Sequence, residues 1–149
     1  MALPAGPGLV PPLQTLRWVR DPYPFLDECR AAYGGTFTLR LAGFGESVFT
    51  DDPATIHEFL LDFRASAATI GAELSAACAT GQAARAGALA HKLKSSARSV
   101  GALALGELCA EMESAGNDGQ IAALSRVWPR FEAEMAAVDA ALADLTAHE

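Results

Sequence analysis

The sequence predicts an all-α protein: an antiparallel up-down four-helix bundle over residues 51–149, with a small N-terminal helix-plus-β-hairpin appendage over residues 1–50. Three observations point there. Six of the eight prolines (Pro4, Pro7, Pro11, Pro12, Pro22 and Pro24) fall in the first fifty residues, leaving Pro53 and Pro129 for the rest. The later segment is alanine-rich, with apolar residues at helical spacing. Its pattern breaks at Gly81, at Gly101 and at "GNDG", and loops that short make successive amphipathic helices antiparallel neighbours.

Taken in order, the chain opens with a proline-rich arm suited to extended structure. "DPYPFLDECRAAYGG" reads as a short helix from about Pro24, closed by Gly34 and Gly35. "TFTLRLAGFGESVFT" alternates through Phe37, Leu39 and Leu41, turns at "AGFGE" and returns, a hairpin pattern. The first long helix takes Asp51 or Asp52 as its N-cap and Pro53 as its first residue, and Ile56, Phe59, Leu60 and Phe63 recur at helical spacing. The second is predicted from about Gln82 to Val100 and the third from about Ala102 to Ala115. The fourth starts at Asp118 or just after, with Ile121, Leu124, Val127, Phe131, Met135, Val138 and Leu142 on its apolar face.

Composition excludes several functions. Hydrophobic residues are 51% and charged residues 19%, so a packed core is feasible. The net charge is −7, and residues 1–50 balance four arginines against four acids, so the whole excess lies in residues 51–149. An acidic domain lacks the cationic face that nucleic acid needs. Cys29, Cys78 and Cys109 are odd in number and far apart, with no CxxC pair, which suits neither a disulfide framework nor a zinc knuckle and fits a reducing cytoplasm. The N-terminus lacks the pattern of a signal peptide, and no apolar run is long enough to span a bilayer. No P-loop or other ATP cradle is present, and neither a cofactor nor a metal is expected on this chain.

The stretch "AHKLKSSARSVGA" carries the candidate chemistry. At roughly 100° per residue, with Leu89 at zero, the apolar stripe of the second helix centres near 40° and His91 falls near 200°. His91 is therefore expected to face solvent on the bundle flank. Around it stand the small residues Ala84, Gly87, Ala88 and Ser95, which let another protein approach, and the cations Lys94 and Arg98, which suit an anion such as phosphoryl oxygens. A neutral imidazole is a nucleophile able to carry a transferred group. The angles alone fit equally a plain polar residue on a solvated face. His57 and His148 have no comparable setting.

The wider stretch "AHKLKSSARSVGALALGELCAEME" resembles the histidine phosphotransfer (HPt) domain, whose signature is approximately H-x-L-K-[GSA]-[SA] followed by a glycine before the next helix. Here it runs His91-Lys92-Leu93-Lys94-Ser95-Ser96, with Gly101 and then Leu105, Cys109 and Met112. The resemblance covers about residues 51–149. It implies that His91 is the phosphoacceptor and Lys94 steadies the phosphoryl group, in a relay with no kinase activity of its own. It also implies a response-regulator receiver domain, a hybrid sensor histidine kinase or both as partners, with magnesium on the receiver. A cytoplasmic monomer bound to neither membrane nor nucleic acid is expected. Ser95 departs from the glycine common after the lysine. Arg98 as a phosphate neighbour is a geometric expectation outside the resemblance.

Residues 4–56, from "LPAGPGLVPPLQTLRWVR" through "YGGTFTLRL" to "DDPATI", resemble the N-terminal edge of a cytochrome P450. The haem-ligand loop F-x-x-G-x-x-x-C-x-G and the E-x-x-R pair are absent, so no haem binding is expected. Two other readings stand beside the phosphorelay: an HPt-like docking module that transfers nothing, and a remnant of a haem monooxygenase.

Overall fold

The structure is a computed structural model, and it describes residues 2–147. The chain divides into two compact units, residues 1–57 and 58–149.

In the first unit the order is α1 (Pro11–Arg20), α2 (Pro22–Tyr33), β1 (Thr36–Leu41) and β2 (Gly45–Thr50). The proline-rich arm departs from its extended expectation after Val10, because Pro11 and Pro12 occupy the first turn of a helix, where the missing N–H groups cost nothing. One buried side chain ties this arm down. Gln14 donates from Nε2 to the carbonyls of Pro7 at 3.1 Å and Leu9 at 2.7 Å, and its Oε1 accepts from the Arg40 N–H at 2.9 Å. The hairpin pairs Phe37 with Phe49, whose rings stack at 5.8 Å. The small core of this unit is Phe25, Cys29, Phe37, Leu39 and Leu41.

The other four helices are α3 (Pro53–Ala79), α4 (Ala83–Ser99), α5 (Leu103–Asn117) and α6 (Ile121–Thr146). Asp52 caps α3, its Oδ2 accepting from the Thr55 N–H at 2.8 Å. The three breaks between helices share one device. Gly81, Gly101 and Gly119 each take a positive φ, and the next residue's N–H bonds back to Ala77, Ala97 or Ala115 at 2.8–2.9 Å. α3 to α6 form the four-helix bundle, and one core joins them: Phe63, Ile70 and Leu74 from α3, Ala90 and Leu93 from α4, Leu105, Cys109 and Met112 from α5, and Leu124, Phe131 and Leu142 from α6. Pro129 lies inside α6 on its exposed side, where it gives up one backbone donor. No helix among the described residues is long and apolar enough to cross a membrane.

Candidate functional site

α4 is built for close packing. Ala83, Ala84, Ala86, Ala88 and Ala90 favour the helix strongly, and no β-branched residue interrupts it before Val100. Its buried residues are Ala86, Gly87, Ala90, Leu93 and Ala97. This set centres roughly 50° round from the stripe that the large apolar residues suggested, toward α5. Alanine and glycine carry little hydrophobic signal, yet they are what allow the α5 backbone to come near, and α4 with α5 is the most intimate helix pair.

The shift changes the setting of His91. It lies on the edge between α4 and α5, about 110° from the middle of the buried arc, instead of directly opposite it. Its side chain is 65% exposed, and its Nδ1 stands 2.7 Å from Oε1 of Glu113 on α5. The other carboxylate oxygen of Glu113 accepts from Lys94 Nζ at 2.5 Å. One carboxylate thus bridges the imidazole and the ammonium, and both Lys94 and Glu113 are mostly covered, at 22% and 21% exposure.

Glu113 is held below the usual carboxylate range, first by the hydrogen bond from Lys94 and then by the one from His91. An ionised carboxylate only accepts, so the proton of this hydrogen bond belongs to His91 Nδ1. In the neutral ring the lone pair is then on Nε2.

The expected docking residues divide. Ala84, Ala88 and Ser95 are exposed on the face around His91. Gly87 is not on that surface: it is buried against α5, where a Cβ would meet the Glu113 carbonyl oxygen and the Gly116 Cα at 3.2 Å. Arg98 is half-exposed and already engaged. It donates to Glu107 at 2.8 Å, and its stem crosses Gly106, where a Cβ would stand 2.7 Å from Arg98 Cγ. Arg98 stands two turns from His91 and is paired with an acid.

Beneath these groups lies Cys109, fully buried, with its thiol pushed up to about 12 by burial. Lys94 and Arg98 pull it slightly back and Glu113 opposes them. Burial also raises Cys29 and Cys78, so all three thiols stay protonated at neutral pH. No group of three or more His, Cys, Asp or Glu able to hold a metal occurs among the described residues. His57 sits in α3, on another helix, and His148 lies outside the described residues.

Glu113 is the site residue that the sequence expectations lack. Its signal was available. It follows Met112 by one position, at the margin of the stripe formed by Leu105, Cys109 and Met112, where an acid on α5 faces the histidine-bearing helix.

No solved structure matches the chain. The putative cytochrome P450 135B1 of Mycobacterium bovis and that of Mycobacterium tuberculosis are each 45% identical to it over 56 residues, 38% of this chain and 12% of theirs. The chain thus spans only a small part of the length of these curated relatives. Residues 58–141, more than half of the chain, match the family described as the Hpt domain. The chain therefore belongs to the Hpt domain family, phosphotransfer modules of phosphorelays as distinct from kinases.

Proposed function

We propose that His91 carries the phosphoryl group on Nε2, exchanging it with the aspartate of a response-regulator receiver domain. The observation that supports this most is the bridge from Glu113 to Nδ1 of a largely exposed imidazole. It leaves the outer nitrogen with its lone pair. Nε2 attacks the phosphorus of the receiver's aspartyl phosphate, the P–O bond to the aspartate breaks, and the electron pair leaves with the carboxylate. The ring gains positive charge as the N–P bond forms, and Glu113 balances it through the shared Nδ1 proton. Lys94, within the same bridge, supplies positive charge for the phosphoryl oxygens. The reverse step returns the phosphoryl group to a receiver. The metal that neutralises the transferring group belongs to the receiver in this reading.

Exposed Ala84, Ala88 and Ser95 offer the partner an approach free of large side chains, with Arg98 at its rim. For residues 1–57, the P450 likeness supports no haem chemistry, because the sequence lacks the cysteine loop that would ligate iron.

The test is transfer from a panel of receiver domains phosphorylated with acetyl phosphate. Label should move to the wild-type chain and not to His91→Gln. Equal label on both would refute the assignment, and docking without transfer to either would favour a module that only binds.

A further inference from the structure

We infer that the glycine pair Gly87 and Gly116 positions the phosphoacceptor by setting the distance between α4 and α5; this rests on the reading of His91 given above. The two glycines meet backbone to backbone. A Cβ at Gly116 would stand 2.5 Å from the Gly87 Cα, 2.6 Å from its nitrogen and 2.7 Å from the Ala83 carbonyl oxygen. At Gly87 the same test gives 3.2 Å to the Glu113 carbonyl oxygen, 3.2 Å to the Gly116 Cα and 3.3 Å to the Asn117 nitrogen.

The pair sits one helical turn from the working groups on both helices. Gly87 precedes His91 by four residues and Gly116 follows Glu113 by three, so in an antiparallel crossing the two steps run the same way. The Glu113 carboxylate must reach His91 at 2.7 Å and Lys94 at 2.5 Å from one backbone position. A glutamate has few staggered ways to span two helices, so this double reach holds only over a narrow range of separations. The glycine contact fixes that separation at its near end.

The other glycine of α5 that faces α4 gives an internal control. At Gly106 the three nearest atoms all belong to the Arg98 side chain, which would have to turn away and give up its hydrogen bond to Glu107, while both helix backbones could stay in place. At Gly116 every close atom is backbone, and carbon atoms in ordinary contact stand about 3.5–4.0 Å apart, so the helices themselves must part.

The experiment uses the full chain with phosphoramidate as the donor, so no partner has to be known. His91 Nε2 attacks its phosphorus and the P–N bond breaks, with ammonia leaving. The rate of incorporation is measured for wild type, Gly116→Ala, Gly87→Ala and Gly106→Ala. In parallel, long-range proton–nitrogen spectra of 15N-histidine samples report which ring nitrogen of His91 holds the proton, with His91→Gln identifying the signal.

The expected results are a loss of about a hundredfold for Gly116→Ala, the scale of an ångström's misplacement, a smaller loss for Gly87→Ala, and a near wild-type rate for Gly106→Ala. The Nδ1–H fraction should fall in the same order. Each variant is repeated with Glu113→Ala, where the glycine substitutions should add nothing further, since they act through that carboxylate. A folded Gly87→Ala chain with unchanged tautomer and rate would overturn the inference, and so would an equal loss with and without Glu113. If Gly116→Ala fails to fold, Gly87→Ala decides. Label persisting on His91→Gln would instead overturn the phosphoacceptor reading, whereas the tautomer measurement needs no label.

Discussion

The two faces of the bundle solve different problems. Along the α4–α5 seam the backbones meet at Gly87 and Gly116, Leu93, Leu105 and Met112 turn into the shared core, and the large groups at the outer edge are polar: His91, Lys94, Glu113, Arg98 and Glu107. Between α3 and α6, Phe63, Met135, Val138 and Leu142 line a cavity of about 50 Å³, with the Arg64–Asp139 pair at 2.8 Å beside it. The first seam brings two helix backbones into direct contact beside the polar groups. The second is lined by large side chains. The difference teaches that the His91–Glu113–Lys94 bridge stands at the edge of one seam while all four helices share the core, so substitutions at the bridge and in the core should have separable effects.

The largest separation is expected from His91→Gln, which should abolish phosphoryl incorporation and leave unfolding by urea unchanged, since an exposed side chain is removed from the flank. A chain destabilised by this change would show that the α4–α5 seam bears more load than the comparison allows. Next, Phe131→Ala on α6 deletes a fully buried ring and should cost about 3–5 kcal/mol of stability. At temperatures where the variant stays folded, its phosphoramidate reaction should match wild type. A selective loss of rate would mean that the two seams are coupled.

A smaller effect concerns pH. Glu113 and Asp139 are both held below their ordinary values, Glu113 chiefly by Lys94 and Asp139 chiefly by Arg64. A depressed folded-state value means that the stabilisation is complete above the ordinary carboxylate range and is lost as pH falls through the folded value. Denaturation midpoints should therefore fall on acidification below about pH 4. Glu113→Gln should flatten that dependence, and an unchanged slope would contradict the ion bridge. The smallest effect is expected from Asp139→Asn. It opens an exposed pair on the far seam and should shift the midpoint slightly, with no change in the His91 tautomer.

The helix order and the breaks were legible because glycine marks each turn: Gly81, Gly101 and Gly119 hold backbone angles that other residues avoid. The hairpin was legible from alternation, and Phe37, Leu39 and Leu41 are all buried. α1 was missed because consecutive prolines suggest extended chain, although Pro11 and Pro12 also suit a helix start. The exposure of His91 was legible from the helical angles. Its exact setting was not, because a wheel weighted by Leu89, Leu93 and Val100 ignores Gly87 and Ala90, and the closest packing follows the small residues. Gly87 was expected on the surface for the same reason and is instead at the helix crossing. Glu113 was legible only as an acid at the margin of the α5 stripe; its reach to both His91 and Lys94 needed the α4–α5 distance, which no single-helix pattern contains.

One measurement reaches the central claim most directly. The full chain, labelled with 15N-histidine and phosphorylated with phosphoramidate, is examined for one-bond phosphorus–nitrogen coupling. Coupling is predicted at Nε2 of His91, with the Nδ1 proton retained. Coupling at Nδ1 of His91, or at His57 or His148, would contradict it.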